Sequence, residues 1–329
     1  MREPSEDHAK EFPTRNARAP ESIHSHVTSW AARRVLLVAG KGGVGRSTTS
    51  LALAQNLAAA GHETLLLEAT IGTPGPSAFA AHLASPAGPT AQRIAPRLSY
   101  ARLEPRMGQE LFLREIVPIP ALVHAALHSR ALARLLDAGP ALDELGVMHQ
   151  FLTLAEEQRD GALAFDRIVL DLPATGHAIA LAELPNTILR IAPHGPIADR
   201  LRRGQALLHD PRSAGAIIVT IPEPLALREA VELAAGLTHA QVPIAAYLVN
   251  RAPSNPSPPG AQAELDAVFG AEVVLGRRTL EEQLTAVARI DDLRRDVSPV
   301  PVLLAEEASG DAASSLASVR RSLTAEGMR

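Results

Sequence analysis

The stretch Gly40-Lys41-Gly42-Gly43-Val44-Gly45-Arg46-Ser47-Thr48 concentrates the residue types that handle phosphate. Glycines at 40, 42, 43 and 45 remove the β-carbons from one short turn, so backbone N–H groups can point inward around anionic oxygens. A helix beginning in such a loop adds the partial positive charge of its N-terminus. Lys41 and Arg46 bring cations, and the Ser47 hydroxyl suits a divalent ion held beside the phosphates. Far downstream, Asp171 closes the apolar run Ile168–Leu170. A carboxylate at that place can hold a water of a Mg²⁺ shell. Each reading has a plainer counterpart: a Gly-rich strand-to-helix turn without ligand, and an aspartate that caps a helix.

Elements must hold these groups together, and the pattern supplies them. Arg34–Ala39 is an almost unbroken apolar run, as expected of a strand buried on both faces of a parallel sheet. A helix is expected over Ser50–Ala60, with Leu53 and Leu57 four apart and Gly61 as its C-terminal cap. A second strand, Glu63–Glu68, completes a βαβ unit. Further strands read at Arg167–Asp171, Ala216–Thr220, Ala245–Asn250 and Pro301–Ala305, with helices such as Leu225–Ala235 and Ala261–Phe269 between them. Alternation of this kind predicts an α/β fold, a doubly wound and mostly parallel sheet of the P-loop class. Residues 1–32 lack periodicity and read as a disordered arm, leaving 33–329 as one domain. Within it, about 106–160 carries helical patterns broken by Pro118, Pro120 and Pro140 and no convincing strand. That stretch reads as an inserted helical subdomain, with helices over Ala121–Leu136 and Ala141–Glu157. Residues 254–260 form a breaker-rich loop.

Composition excludes several classes. With no cysteine in 329 residues, disulfides, iron–sulfur clusters and thiolate zinc sites are impossible. A net charge of −4 spread along the chain argues against nucleic acid as partner. No apolar run approaches the roughly 20 residues of a membrane span, and the polar N-terminus is unlike a secretory signal. A cytoplasmic protein is expected. His124 and His128 stand four apart on an expected helix, but a third ligand is missing, so packed or exposed histidines are the favoured reading.

The loop meets G-x-x-x-x-G-K-[ST] except that Arg46 stands at the lysine, and Lys41 follows the first glycine. That arrangement resembles the deviant Walker A loop of the arsenical pump-driving ATPases and the ATPases that deliver tail-anchored membrane proteins. The stretch Asp171–His177 (DLPATGH), with its trailing Leu184-Pro185, is similar to that family's switch II signature, D-x-x-x-T-G-H. Pro301–Gly310 (PVLLAEEASG) is similar to its adenine-side loop, and Asn250-Arg251 stands where the family's asparagine reads the adenine edge. Thr220–Glu229 (TIPEPLALRE) also has the family's look.

The resemblance implies a switch that binds ATP and Mg²⁺, works as a homodimer or as a heterodimer with a paralogue, and couples nucleotide state to a protein partner through the helical insert. It implies nucleotide contacts along Gly40–Thr48, at Asn250 and at Pro301, Mg²⁺ at Ser47 and Asp171, and Lys41 and Arg46 as the stabilising cations. In the family Lys41 reaches across a two-fold interface; a lysine contacting only its own phosphates is the alternative. His177 is assigned no catalysis. Two departures point to slow hydrolysis. Arg46 is bulkier than lysine, and Thr70 falls where the family's water-positioning aspartate belongs; Glu68, two residues early, is expected on the Mg²⁺ side. Without cysteines, neither the family's zinc dimer site nor its metalloid site can exist here. The other readings are a non-catalytic partner of a complete paralogue and a partition-type positioning ATPase. Against the latter, Ser315–Arg329 is only weakly amphipathic.

Overall fold

The computed structural model describes residues 30–72, 75–83, 86–116, 142–191, 193–254, 260–269, 277–308 and 310–327. The strands are β1 (Val35–Gly40), β2 (Thr64–Ala69), β3 (Gln92–Ala95), β4 (Leu98–Leu103), β5 (Gln158–Arg159), β6 (Ala162–Leu163), β7 (Arg167–Asp171), β8 (Ala214–Thr220), β9 (Ile244–Ala252) and β10 (Val302–Glu306). The helices are α1 (Arg46–Ala59), α2 (Pro105–Ile116), α3 (Leu142–Ala155), α4 (Thr175–Ile191), α5 (Pro196–His209), α6 (Pro224–His239), α7 (Ala261–Phe269), α8 (Arg277–Asp296) and α9 (Ala312–Gly327). One eight-stranded sheet runs β10-β9-β8-β1-β7-β2-β4-β3, and only the edge strand β3 is antiparallel to its neighbour. The expected doubly wound α/β fold is therefore present.

Period-two alternation on β1 explains the layers. Val35, Leu37 and Ala39 face one core with Phe151 of α3, Leu181 of α4, Leu201 of α5, Leu233 of α6 and Ile290 of α8. Leu36 and Val38 face the other, against Leu53 and Leu57 of α1 and Val319 and Leu323 of α9. Both faces being covered, every β1 residue is buried, which is why the run reads as continuously apolar.

Several expectations need correction. The first helix begins at Arg46, four residues before Ser50, because the Gly45 backbone (φ 95°) already turns the chain into it. β3 and β4 were not expected. Ser99 and Arg102 break the apolar pattern of β4 (LSYARL), yet both are buried, and Arg102 Nη2 donates to Gly75 O at 2.7 Å. The stretch read as strandless ends in β5, which pairs with β6 just beyond it in a hairpin whose turn residues Asp160 and Gly161 both have positive φ, as an Asp-Gly turn of this type requires. The last residues assigned to the arm, Trp30–Ala32, form a short 3₁₀ turn with Trp30 buried. Ala121–Leu136, with His124 and His128, and most of 254–260 lie outside the described residues.

Helices α2 and α3 meet at very short range. A β-carbon on Gly108 would lie 1.7 Å from Gly146 O, and one on Gly146 would lie 2.2 Å from Pro105 O. Only glycine permits that approach, and it seats α2 on α3, whose opposite side joins the core beneath the sheet.

Candidate phosphate-binding site

The parallel strands end together, so the loops leaving β1, β2 and β7 share one edge, where α/β sheets bind ligands. Register brings Asp171 level with Val38 of β1 and Glu68 of β2. From β1 the chain enters the glycine loop under tight restraint. A β-carbon on Gly40 would lie 2.5 Å from Val219 O of β8, so the loop's first residue is pressed against the neighbouring strand. Val44 is buried and anchors the loop in the core. Asn250 Nδ2 donates to Val44 O at 2.9 Å, and Arg251 Nη2 donates to Gly43 O at 3.2 Å. Gly43 and Gly45 have φ of 85° and 95°, while β-carbons on Gly42 and Gly43 would meet nothing within 4 Å. The backbone is thus braced from behind and open in front, as an anion cradle requires. Those residues fit the phosphates of a nucleotide.

Arg46, Ser47 and Ser50 project from the first turns of α1 toward Asp171, which is 2% exposed. Arg46 Nε donates to Asp171 Oδ1 at 3.0 Å and Nη1 to Gly40 O at 3.3 Å. Ser47 Oγ donates to Oδ2 at 2.8 Å and Ser50 Oγ to Oδ1 at 3.1 Å. Burial pushes the Asp171 carboxyl above its ordinary range, while Arg46 and the hydroxyls pull the other way. Ser47 and Asp171, the expected Mg²⁺ pair, do come together. Their arrangement is poor in negative charge for a divalent ion: the carboxylate is paired with the Arg46 guanidinium and already accepts from two hydroxyls. Thr48 lies on α1 without entering this network.

On the β2 side the cleft is walled by Glu68, Thr70, Gly75, Ala78 and Arg102. Thr70 Oγ1 donates to Leu103 O at 2.8 Å, which prolongs the β2–β4 pairing. Glu68 is buried and fully engaged. Oε1 accepts from Ala78 N at 3.0 Å; Oε2 accepts from Ser77 Oγ at 2.7 Å and Tyr100 Oη at 2.5 Å. Burial and the adjoining carboxylate push the Tyr100 hydroxyl well up, so it stays a donor.

The other expected residues are placed as follows. Lys41 Nζ pairs with Glu229 Oε1 of α6 at 2.9 Å and is 42% exposed, outside the Asp171 network. Asn250 braces the loop with its Nδ2, and its Oδ1 accepts from Arg251 N, so both ends of the amide are in use. Pro301 precedes β10, whose Val302 is level with Tyr247 of β9. Through Ile218 of β8 that row continues to Ala39 of β1, so Pro301 lies near the level of Val38, three strands away from the cradle. His177 Nδ1 pairs with Glu144 Oε1 at 3.0 Å.

Residues that sequence reasoning missed are Ser50, Glu229, Asp143 and Glu144. Ser50 lies one helical turn past Arg46, and that spacing could have flagged it. Asp143 and Glu144 open α3 and touch the loop after β2 and the start of α4: Asp143 Oδ2 accepts from Gly72 N at 3.1 Å, and Glu144 holds His177. No local signal in the sequence marks those contacts.

The sequence model of the family described as "Anion-transporting ATPase" matches residues 33–193. The chain is similar to ATPase BagA of Mycobacterium tuberculosis, 29% identical over 256 residues that cover 71% of each protein. It is similar to ATPase GET3B of Arabidopsis thaliana, 26% identical over 291 residues covering 70% of this chain and 67% of that one. A third relative is the arsenical pump-driving ATPase of Escherichia coli, 27% identical over 222 residues, 66% of this chain and 34% of that protein.

Proposed function

The chain belongs to the anion-transporting ATPase family, and from that premise we propose that it is an ATP-binding switch that hydrolyses ATP slowly. The observation that carries this reading is the open Gly42–Gly43 backbone at the end of β1, braced from behind and flanked by the Arg46 guanidinium. Phosphate oxygens would accept from the loop N–H groups and the start of α1. Lys41 and Arg46 supply the charge that stabilises the transferring phosphoryl group. Slow turnover follows from the facing wall. A water attacking the γ-phosphate needs a group to orient it. The cleft's carboxylates, Glu68 and Asp171, are both held by other partners, and the Thr70 hydroxyl is tied to Leu103. These same features favour a second reading, in which the chain binds nucleotide as the inactive partner of a complete paralogue.

Nucleotide state would reach a protein partner through α2 and α3, because the first turn of α3 holds the loop after β2 and the first turn of α4 at once. Lys41 would act between subunits. Glu229 holds it within its own chain, and a triphosphate on a facing subunit would compete for it with higher charge. Among the described residues no helix is long and apolar enough to cross a membrane.

The test is thermal unfolding with increasing ATP, followed by sedimentation with a non-hydrolysable analogue. A saturable rise is expected, about 2.7 kcal/mol at a hundredfold excess over Kd. Association should follow in wild type and be lost in Lys41→Ala. Absence of any thermal response at millimolar ATP would refute nucleotide binding. Equal association of Lys41→Ala and wild type would refute the role between subunits.

A further inference from the structure

Arg46 is built into the site differently from a free phosphate-binding cation. A guanidinium carries five N–H donors in one rigid plane. Two of them are engaged behind the cleft, Nε on Asp171 Oδ1 at 3.0 Å and Nη1 on Gly40 O at 3.3 Å. Those bonds fix the plane, and the side chain, 20% exposed, still borders the cleft beside Ser47 and Thr70. Arg46 can therefore keep its grip on Asp171 and offer its remaining N–H groups to a phosphate. A lysine ammonium, a single compact charge, cannot span both partners in this way.

Asp171 tells the same story from the other side. Its oxygens accept from Arg46, Ser47 and Ser50, and the guanidinium neutralises the carboxylate, which is itself only 2% exposed. A divalent ion entering beside the pair would find no net negative charge there to offset the loss of its own hydration. The remaining charges of the cleft do not change that balance. Glu68 lies 4.0 Å from Arg102 Nε, so that carboxylate and that guanidinium largely offset one another.

We infer that the loop binds the phosphates of a nucleotide without a divalent ion, with Arg46 bridging Asp171 to phosphate where a metal would otherwise link them. The inference rests on the reading of the loop as a nucleotide site and adds to it the ionic form of the ligand: the metal-free triphosphate.

Isothermal titration of ATP into the full chain, once with excess EDTA and once with MgCl₂, tests it directly. Wild type should bind at least as tightly in EDTA as in MgCl₂, where complexation by Mg²⁺ depletes the metal-free triphosphate. Arg46→Lys should bind about tenfold or more weakly in EDTA and recover with Mg²⁺. A wild type that loses about tenfold or more in EDTA overturns the bridge while leaving the nucleotide reading intact. Arg46→Lys that binds at least as tightly in EDTA as in MgCl₂ also overturns it, since the lysine would then suffice. No heat of binding under either condition overturns the nucleotide reading and the bridge together. Should Arg46→Lys fail to fold, the pair of wild-type titrations decides the matter alone.

Discussion

The loops leaving β1 and β2 stand one strand apart at the same edge of the sheet, and they use their side chains in opposite ways. After β1 the side chains stay behind the loop. Val44 is sunk in the core, Asn250 and Arg251 come from β9 to brace carbonyls, and bare backbone faces the cleft. After β2 the side chains are turned on their own surroundings. Thr70 extends a strand pairing, and Glu68 fastens the segment through Ser77, Ala78 and Tyr100. Binding phosphate needs oriented N–H groups, which the first loop keeps. Orienting a nucleophilic water needs an uncommitted polar side chain, and neither Thr70 nor Glu68 is one. On the function proposed above, the two halves of the site could diverge independently, because one is made of backbone and the other of side chains.

The largest expected effect breaks the first loop. Gly45 has φ 95°, and a β-carbon there would lie 2.2 Å from Asn250 Nδ2. Gly45→Val should destabilise the fold by about 3 kcal/mol in chemical denaturation and abolish the thermal response to ATP. Gly42→Ala is the contrasting variant, since its β-carbon meets nothing within 4 Å. Its stability should change by less than about 0.5 kcal/mol while its methyl group fills the cradle and weakens ATP binding. Equal effects of the two substitutions on folding would contradict the bracing described for this loop.

An intermediate effect is expected from giving the second loop the side chain it lacks. The double variant Arg46→Lys with Thr70→Asp should raise ATP turnover by about tenfold or more, and each single change by less, because both act on one transition state. A carboxylate at 70 must turn away from Leu103 O, so the loss of that hydrogen bond should lower stability by about 1 kcal/mol. Wild-type turnover already typical of competent ATPases would remove the contrast between the loops.

The smallest effect sharpens it. Tyr100→Phe deletes a donor to Glu68 and should cost about 1 kcal/mol of stability, with ATP affinity unchanged within about twofold. A clear loss of affinity would mean that the fastening of the second loop also supports the first.

Much of this was legible before any coordinates. The unbroken apolar run of β1, four glycines and the start of a helix specify a strand, a cradle and a cap from local chemistry alone. Asp171 was legible for the same reason, as a lone carboxylate ending an apolar run. β4 was not, because Ser99 and Arg102 spoil its pattern and are tolerated only through tertiary partners such as Gly75 O. The pairing of Lys41 with Glu229 spans 188 positions and has no local signature. Hydrogen bonds that bring α3 to the loop after β2 and the start of α4 are likewise invisible to periodicity.

That short turn of α3 has a thermodynamic corollary. Gly72 N and the His177 ring hang from adjacent carboxylates, Asp143 and Glu144, on one rigid helix that is locked to α2 through paired glycines. On the function proposed above, a nucleotide that shifts those segments would do work on the helix pair, and linkage would make the exchange reciprocal. A protein gripping α2 and α3 would then alter nucleotide affinity by the same factor by which nucleotide alters its own. Load applied to the helices would then be felt as a change in ATP occupancy, without the partner ever approaching the cradle.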